Sequence, residues 1–299
     1  MINLDPLSEQ FLNGMARLNV RLDRAQRQLS SGRRISVVSD EPDRVARLVE
    51  TRNDLGRIEQ IQRNLGIVKG DVDTAEAVLQ SGVSLLERAR TLAVQGANGT
   101  QTAATRRAIS AEVGDILEHL VGIANTTFQG RYLFGGDRDT VPPYIVDPSQ
   151  TNGVGEYAGT DATRSIEHPT GIRIVISHTA QEIFEDPAGQ NVFAAVKELQ
   201  RALAANDDGA IEAAIGLVTT AHGQLGQALG TFGLLQNQIS EATDFAGKQQ
   251  TLDKIAQSNL EDADLAAATV ELNQARFEQQ SAYAARARAP RTSLFDFLG

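Results

Sequence analysis

Four histidines, His119, His168, His178 and His222, are the residues of this 299-residue chain best suited to metal binding or proton transfer. No two of them stand at the i, i+3 or i+4 spacing that sets a pair of imidazoles on one helix face. Each reads as an ordinary polar side chain. The chain has no cysteine, which removes thiolate ligands, thiol nucleophiles and disulfides. GVGEYAG (153–159) has the glycine content of a phosphate loop, but no strand leads in and no helix follows, so it reads as a hairpin loop. AGKQQ (246–250) has a Gly-Lys without the upstream glycine or the Ser/Thr that a phosphate-binding loop needs. Asp262 and Asp264 could meet a cation, but carboxylates at a helix start are explained by capping and by the helix dipole. Catalysis needs convergent reactive groups, and none are visible. The reading is a non-enzyme with no cofactor and no metal.

Composition points to long helices. There is no Trp, and Phe and Tyr together number only fourteen, ten and four. Aromatics supply much of the buried area of a compact core, so a large globule is disfavoured. The net charge is −10. Residues 1–70 hold twelve Arg/Lys and nine Asp/Glu, a balance of +3, which leaves −13 for the rest. The arginines alternate with acids and carry no interleaved aromatics, so nucleic acid is not the expected partner. No apolar run approaches the roughly 20 residues of a membrane span. The opening MINLDPLSEQF is too polar for a secretory signal. The expectation is a cytoplasmic protein, or one exported without a cleaved signal.

The elements follow from periodicity. Phe11, Met15, Leu18, Leu22, Ala25 and Leu29 are spaced 4-3-4-3-4, an a/d seam that predicts a helix over 6–30. Ile58, Leu65, Val72, Leu79, Leu86 and Ala93 fall seven apart, and Ile61, Val68, Ala75, Gly82 and Ala89 fill the second heptad position. They predict one helix over 44–96, begun by Pro42 in its first turn. GANGT (96–100) is a turn, and Ile109, Val113, Ile116, Leu120 and Ile123 predict a third helix that returns as a hairpin. Residues 130–191 hold five of the eight prolines, with GEYAG, RSIEH and GIRIVISH reading as short strands. A short helix from about 190, a long one over 210–257 and an Ala-rich one to about 289 complete the chain. Gly223, Gly226, Gly230 and Gly233 form a stripe beside the seam of the long helix, which predicts a close helix approach there.

The fold expected is mainly α with a small β insert, elongated, with N- and C-terminal helices paired in a coiled-coil-like bundle. The divisions are terminal segments 1–40 and 260–299, a helical rod 41–135 and 190–259, and a β-rich domain 136–189. Neither terminal set can bury its seam alone.

LSSGRRISVVSDEPDRVAR (29–47) resembles the N-terminal signature of the bacterial flagellin family, with Glu41 in place of a second Asp. LAVQGANGT (92–100) and NLEDADLAAATVELNQARFEQQ (259–280) are similar to two further landmarks of that family, in the same order. GRYLFGG (130–136), Thr140, Pro142, Pro143 and the ending SLFDFLG resemble the branch that forms the junction between hook and filament. The resemblance implies terminal helices that are disordered in the free monomer and pair on assembly, and a subunit that templates flagellin assembly. It implies as partners a hook-associated junction protein on the hook side, flagellin on the filament side, copies of the same chain in a ring, and an export chaperone on the C-terminal helix. It also implies an extracellular place in the flagellum, reached through the flagellar type III apparatus. Leu18, Leu22, Leu29, Gly32, Arg33, Arg34, Ile35, Pro42, Gly223, Gly226, Gly230, Gly233, Leu272, Phe295, Phe297 and Leu298 are the expected interface or inter-domain residues, with Arg33 and Arg34 facing carboxylates of a neighbouring subunit. A filament flagellin and an intracellular coiled-coil binding protein are the alternatives.

Overall fold

The structure, a computed structural model, describes residues 6–35, 41–185 and 191–288. Phe295, Phe297 and Leu298 lie outside the described residues. Among those described the chain is mainly helical: α1 (Pro6–Ser31), α2 (Pro42–Ala97), α3 (Ala103–Ala124), α4 (Ala180–Phe184), α5 (Val192–Ala205), α6 (Asp208–Glu261) and α7 (Leu265–Arg288). Four short strands lie between α3 and α4: β1 (Thr127–Phe128), β2 (Arg131–Tyr132), β3 (Ser165–Glu167) and β4 (Arg173–Val175). The chain divides into two compact units, residues 1–57 with 249–299, and residues 58–248.

The larger unit is built on the heptads of α2. Ile58, Leu65, Val72, Leu79, Leu86 and Ala93 are all buried, as are Ile61, Val68, Ala75 and Ala89. Ile109, Val113, Ile116 and Leu120 of α3 join the same core, with Ile211, Val218, Leu225, Phe232, Ile239 and Ala246 of α6. A Cβ on Gly82 would lie 2.9 Å from Leu225 Cδ2 and within 4 Å of Leu120 and Ile123. The absent side chain is what lets three helices meet there. The glycine stripe of α6 behaves differently. At Gly223, Gly226, Gly230 and Gly233 a Cβ would meet nothing within 4 Å. Among the described residues nothing makes the expected close approach along that stripe. The stripe lies one or two residues off Leu225 and Phe232, and at about 100° per residue that turns it away from the core.

The predicted β segment is only partly strand. RSIEH and GIRIVISH do pair, as antiparallel β3 and β4 with Ile166 opposite Ile174. Ile176 is buried, but Ile172 is 66 % exposed, so the alternation holds only toward the helix-facing end. GEYAG is not a strand. It closes a loop through a single bridge between Val146 and Val154, with Gly155 N–H donating to Ile145 O at 2.9 Å. The hairpin of β1 and β2 was not legible in the periodicity, because each strand has two residues. Its turn is set by Gln129 and Gly130, at φ 51° and 80°, the left-handed pair that a tight hairpin requires.

Charged side chains tie these pieces together. Arg106 of α3 is buried, and donates to Gly96 O at 2.9 Å and Asn206 Oδ1 at 3.0 Å while pairing with Asp208. It thereby joins the α2–α3 turn to the α5–α6 turn. Asp71 of α2 lies 3.8 Å from Arg164 and 3.9 Å from Arg131. Burial pushes its carboxyl above the ordinary carboxylate range, and the two arginine charges only partly oppose this.

Two substitutions separate the two kinds of glycine. Gly82→Val, wedging a branched side chain among Leu120, Ile123 and Leu225, is expected to cost about 1–3 kcal/mol in urea unfolding. Gly223→Ala, which meets nothing, is expected to add up to about 1 kcal/mol through helix propensity alone.

Candidate assembly interface

The smaller unit holds most of the residues that the sequence singles out. Its first half is the antiparallel pair α1 and α7. Met15, Ala25, Ala268 and Ala275 are buried, while Leu18, Leu22, Leu29 and Leu272 are half-buried along the same line of contact. Three of the four buried positions are alanines, so the seam buries little area. Polar contacts supplement it. Arg21 reaches Glu271 at 2.6 Å and Glu278 at 2.7 Å, two carboxylates one heptad apart. Gln279 donates to Asn19 at 3.0 Å and Arg286 to Ser8 Oγ at 2.8 Å, with the rings of Phe11 and Tyr283 edge to face at 6.4 Å. These ion pairs are 36–42 % exposed, so each adds little on its own.

The second half is a latch between the end of α1 and the α6–α7 break. Ser30 and Ser31 hydroxyls both donate to Arg27 O, at 3.0 and 2.7 Å, drawing off a helix carbonyl. Gly32 follows at φ 69°, with its N–H on Gln28 O at 2.9 Å. This is the left-handed cap that ends a helix, and it is the position where glycine costs least. The chain then pairs with the other break. Arg34 N–H donates to Glu261 O at 2.7 Å, and Ala263 N–H to Gly32 O at 2.9 Å, around a bridge of Arg33 with Asp262. Ile35 is buried directly after it.

Glu261 is the charge at the centre of the latch. Its side chain is 5 % exposed and pairs with Arg33 at 2.8 Å and Arg52 at 2.9 Å, while Gln257 donates to it at 3.1 Å. Burial raises its carboxyl, but the bonds from Arg52 and Gln257 and the charges of Arg52 and Arg33 outweigh this and hold it below the ordinary range. Arg34 turns the other way. Its guanidinium donates to Asn259 O at 3.1 Å and Leu260 O at 2.9 Å, satisfying the last carbonyls of α6. Glu41 meets Arg44 at 3.0 Å, Arg34 at 3.5 Å and Arg24 at 3.7 Å. Its carbonyl accepts from Arg44 N and Val45 N, both at 3.1 Å, so it caps α2 just ahead of Pro42. The carboxylates expected on a neighbouring subunit are thus met, for Arg33 and Arg34, inside the chain. Asp264 caps α7 through Ala267 N at 3.0 Å, and Asp262 accepts from Ser258 Oγ. Both are structural acids.

Glu261, Arg52 and Glu271 were not picked out by sequence reasoning. Glu271 and Glu278 had a visible signal, one heptad apart beside the Ala268–Ala275 seam. Glu261 had none, because its partners lie 209 and 228 residues away. The histidines form no metal centre: among the described residues no three His, Asp or Glu converge. His178 is nevertheless not isolated, since its Nδ1 lies 3.2 Å from Glu182 Oε2 in the capping box of α4. AGKQQ is interior to α6 and cannot form a phosphate loop. No helix among the described residues is long and apolar enough to cross a membrane.

The exposed apolar residues complete the picture. Val270 and Phe277 of α7, 64 % and 71 % exposed, stand one heptad apart and about 200° around the helix from Ala268 and Ala275. Val20 of α1 is 65 % exposed. A helix with one apolar face paired and another in solvent fits a subunit that packs against further helices.

Paired terminal helices closed by a latch define a helical protein with its two chain ends brought together. Two family descriptions match it: "Bacterial flagellin N-terminal helical region" over residues 2–139 and "Bacterial flagellin C-terminal helical region" over residues 215–298. The chain belongs to the bacterial flagellin family. It is 32 % identical to a flagellin of Clostridium tyrobutyricum over 46 % of its length, but spans only 37 % of that relative, and 23 % of flagellin B of Helicobacter pylori. It is 24 % identical to flagellar hook-associated protein 3 of Salmonella typhimurium, with 88 % of each chain covered. Its fold is that of hook-associated protein 3 from Legionella pneumophila, with TM-score 0.62, 14 % identity, and 70 % of this chain and 98 % of that one covered. It is also that of FlgL from Bacillus cereus, with TM-score 0.59, 22 % identity and 70 % and 99 % covered.

The latch is acid-sensitive in a defined direction. A carboxyl held low in the folded state contributes stability above its unfolded pKa and loses it as pH falls through the folded one. Glu261→Gln is therefore expected to loosen the latch by about 1–3 kcal/mol at neutral pH and to blunt its loss in acid. Hydrogen exchange at the amides of Arg34 and Ala263 in the assembled subunit, where both helix ends are ordered, reads both effects.

Proposed function

We propose that this chain is a subunit of the junction layer between the flagellar hook and its filament. The observation that carries the reading is coverage. The match to hook-associated protein 3 runs through 88 % of both chains, β segment included, whereas flagellins of other bacteria match it over part of their length.

In this reading the smaller unit forms the inner contacts of the layer. The terminal segments 1–40 and 260–299 are unfolded in the free monomer, because the α1–α7 seam buries too little to offset an ordering cost of about 1–2 kcal/mol per residue. They order when Val20, Val270 and Phe277 meet other helices. The rod, 41–135 and 190–259, makes outer contacts through α6. Residues 213–240 carry no Asp, Glu, Lys or Arg, and Gly223, Gly226, Gly230 and Gly233 leave that uncharged face open. Copies of the chain in a ring, a hook-associated junction protein below and flagellin above are the partners, and the layer templates the first flagellin subunits. Before export through the flagellar type III apparatus, a chaperone covers the C-terminal segment 260–299, with Phe295, Phe297 and Leu298 among its residues. The enzyme reading has no residues to rest on.

A second reading, the bulk filament subunit, draws on the 32–34 % identity to flagellins over the N-terminal region. Immunogold microscopy of isolated flagella separates the two. Label confined to the hook–filament boundary is expected, and label along the whole filament would establish the second reading. Phe277→Asp, placed on the open face of α7, is expected to abolish incorporation into the flagellum while the urea midpoint of the larger unit stays unchanged.

A further inference from the structure

The turn between α2 and α3 holds a chemistry that assembly does not use. It contains one of the chain's three Asn-Gly pairs, Asn13–Gly14, Asn98–Gly99 and Asn152–Gly153. An asparagine followed by glycine can cyclise, because glycine leaves the following amide nitrogen sterically open to the side-chain carbonyl carbon. The three pairs are held very differently.

Asn13 and Gly14 lie inside α1, where helical geometry turns the glycine nitrogen along the axis and away from the preceding side chain. Gly153 N–H is tied to Gln150 O at 3.1 Å, and Asn152 Oδ1 accepts from Val154 N alone, at 3.2 Å. At Asn98 neither the helix nor a bond to the glycine N–H is present. Asn98, Gly99 and Thr100 are all exposed. Gly99 N–H has no hydrogen-bond partner among the described residues. Asn98 Oδ1 accepts two bonds, from Thr100 N–H at 3.1 Å and from Thr100 Oγ1 at 2.9 Å. The backbone N–H can only donate, so the atom that it meets is the carboxamide oxygen. Those two donors bend the side chain over the following peptide. They also sit on the oxygen that gains negative charge when a nucleophile adds to the carboxamide carbon, which is how an oxyanion hole lowers a barrier.

We infer that Asn98 is a site of self-catalysed deamidation. Gly99 N loses its proton to solvent base and attacks Asn98 Cγ, forming a C–N bond and a tetrahedral oxyanion held by Thr100 N–H and Oγ1. The carboxamide nitrogen takes a proton from water and leaves as ammonia, giving a five-membered succinimide. Water then adds to one of the two ring carbonyls. Opening on one side restores the main chain with an ordinary aspartate in place of the asparagine, and opening on the other gives isoaspartate, with an extra methylene in the main chain. No oxidant, metal or enzyme is required. Either product takes the formal charge from −10 to −11, since one neutral amide becomes a carboxylate. The isoaspartyl product also lengthens a turn whose flanks are fixed, by Arg106 on Gly96 O and by Thr102 Oγ1 on Thr105 N. The turn thus carries a one-way record of age at its surface.

The test is incubation of the folded full-length chain in warm, mildly alkaline buffer, with tryptic peptides 91–106 and 139–164 followed by mass spectrometry. Peptide 91–106 contains Asn98 as its only asparagine. The expected result is conversion at Asn98 well ahead of Asn152, faster at higher pH, with aspartyl and isoaspartyl forms both present. Thr100→Ala removes one oxyanion donor and is expected to slow conversion several-fold. Gly99→Ala is expected to slow it by more than an order of magnitude, since a Cβ obstructs the attacking nitrogen. That Cβ meets nothing within 4 Å in the folded chain, so the turn is kept, and circular dichroism verifies it. Equal rates at Asn98 and Asn152, or an Asn98 that stays amidated while the isolated peptide 91–106 converts, would overturn the inference.

Discussion

A one-residue-wide apolar seam cannot hold a helix in water, and that constraint shapes this protein. α1 and α7 each present such a seam, in which a few small or flexible residues are buried and the leucines are half-buried. Alone, either would cost more backbone entropy than it returns. Each therefore needs a partner from the far end of the chain. The latch at Gly32 and Glu261 makes that pairing specific by closing two helix ends against each other. Its main-chain bridge fixes the register, and Glu261 satisfies two arginines that would otherwise compete for other acids.

The larger unit meets the same constraint with more material. α2 offers its heptads to α3 and α6 together, so its large seam residues are buried where Leu18, Leu22 and Leu29 of α1 are half-buried. Glycine is used in two senses. Gly82 is small because three helices converge on it, and the α6 stripe is small where nothing among the described residues arrives. An interior glycine costs a helix about 1 kcal/mol. Four on one open face are a cost with no return among the described residues, and this cost is what supports the proposed role of that face in assembly.

The charges among the described residues do positional work. Arg106 links two turns, Arg34 finishes α6, Glu41 begins α2, and Arg21 spans two acids of α7. Most are half-exposed and individually weak, so their effect lies in selecting one arrangement of long helices over others of similar burial. The partly buried Asp71, lifted by desolvation, shows the opposite case, where a charge is kept at some cost because Arg131 and Arg164 bring the β hairpins to α2.

Sequence alone determined the helices, because a 3.5-residue period repeated over many turns admits one regular structure, and Ile58 to Ala93 kept that period without a break. It also determined the family, through stretches whose order along the chain is independent of how they pack. The tertiary structure decided which periodic faces were paired. Both the seam and the glycine stripe of α6 are periodic, and only the positions of α2 and α3 tell that one is buried and the other open. It decided that GEYAG closes a loop, since two or three residues carry no period to read. It decided, too, that Arg33 meets Glu261: a contact across 228 residues leaves no mark in local spacing, and exists only because two helix ends are brought to one place.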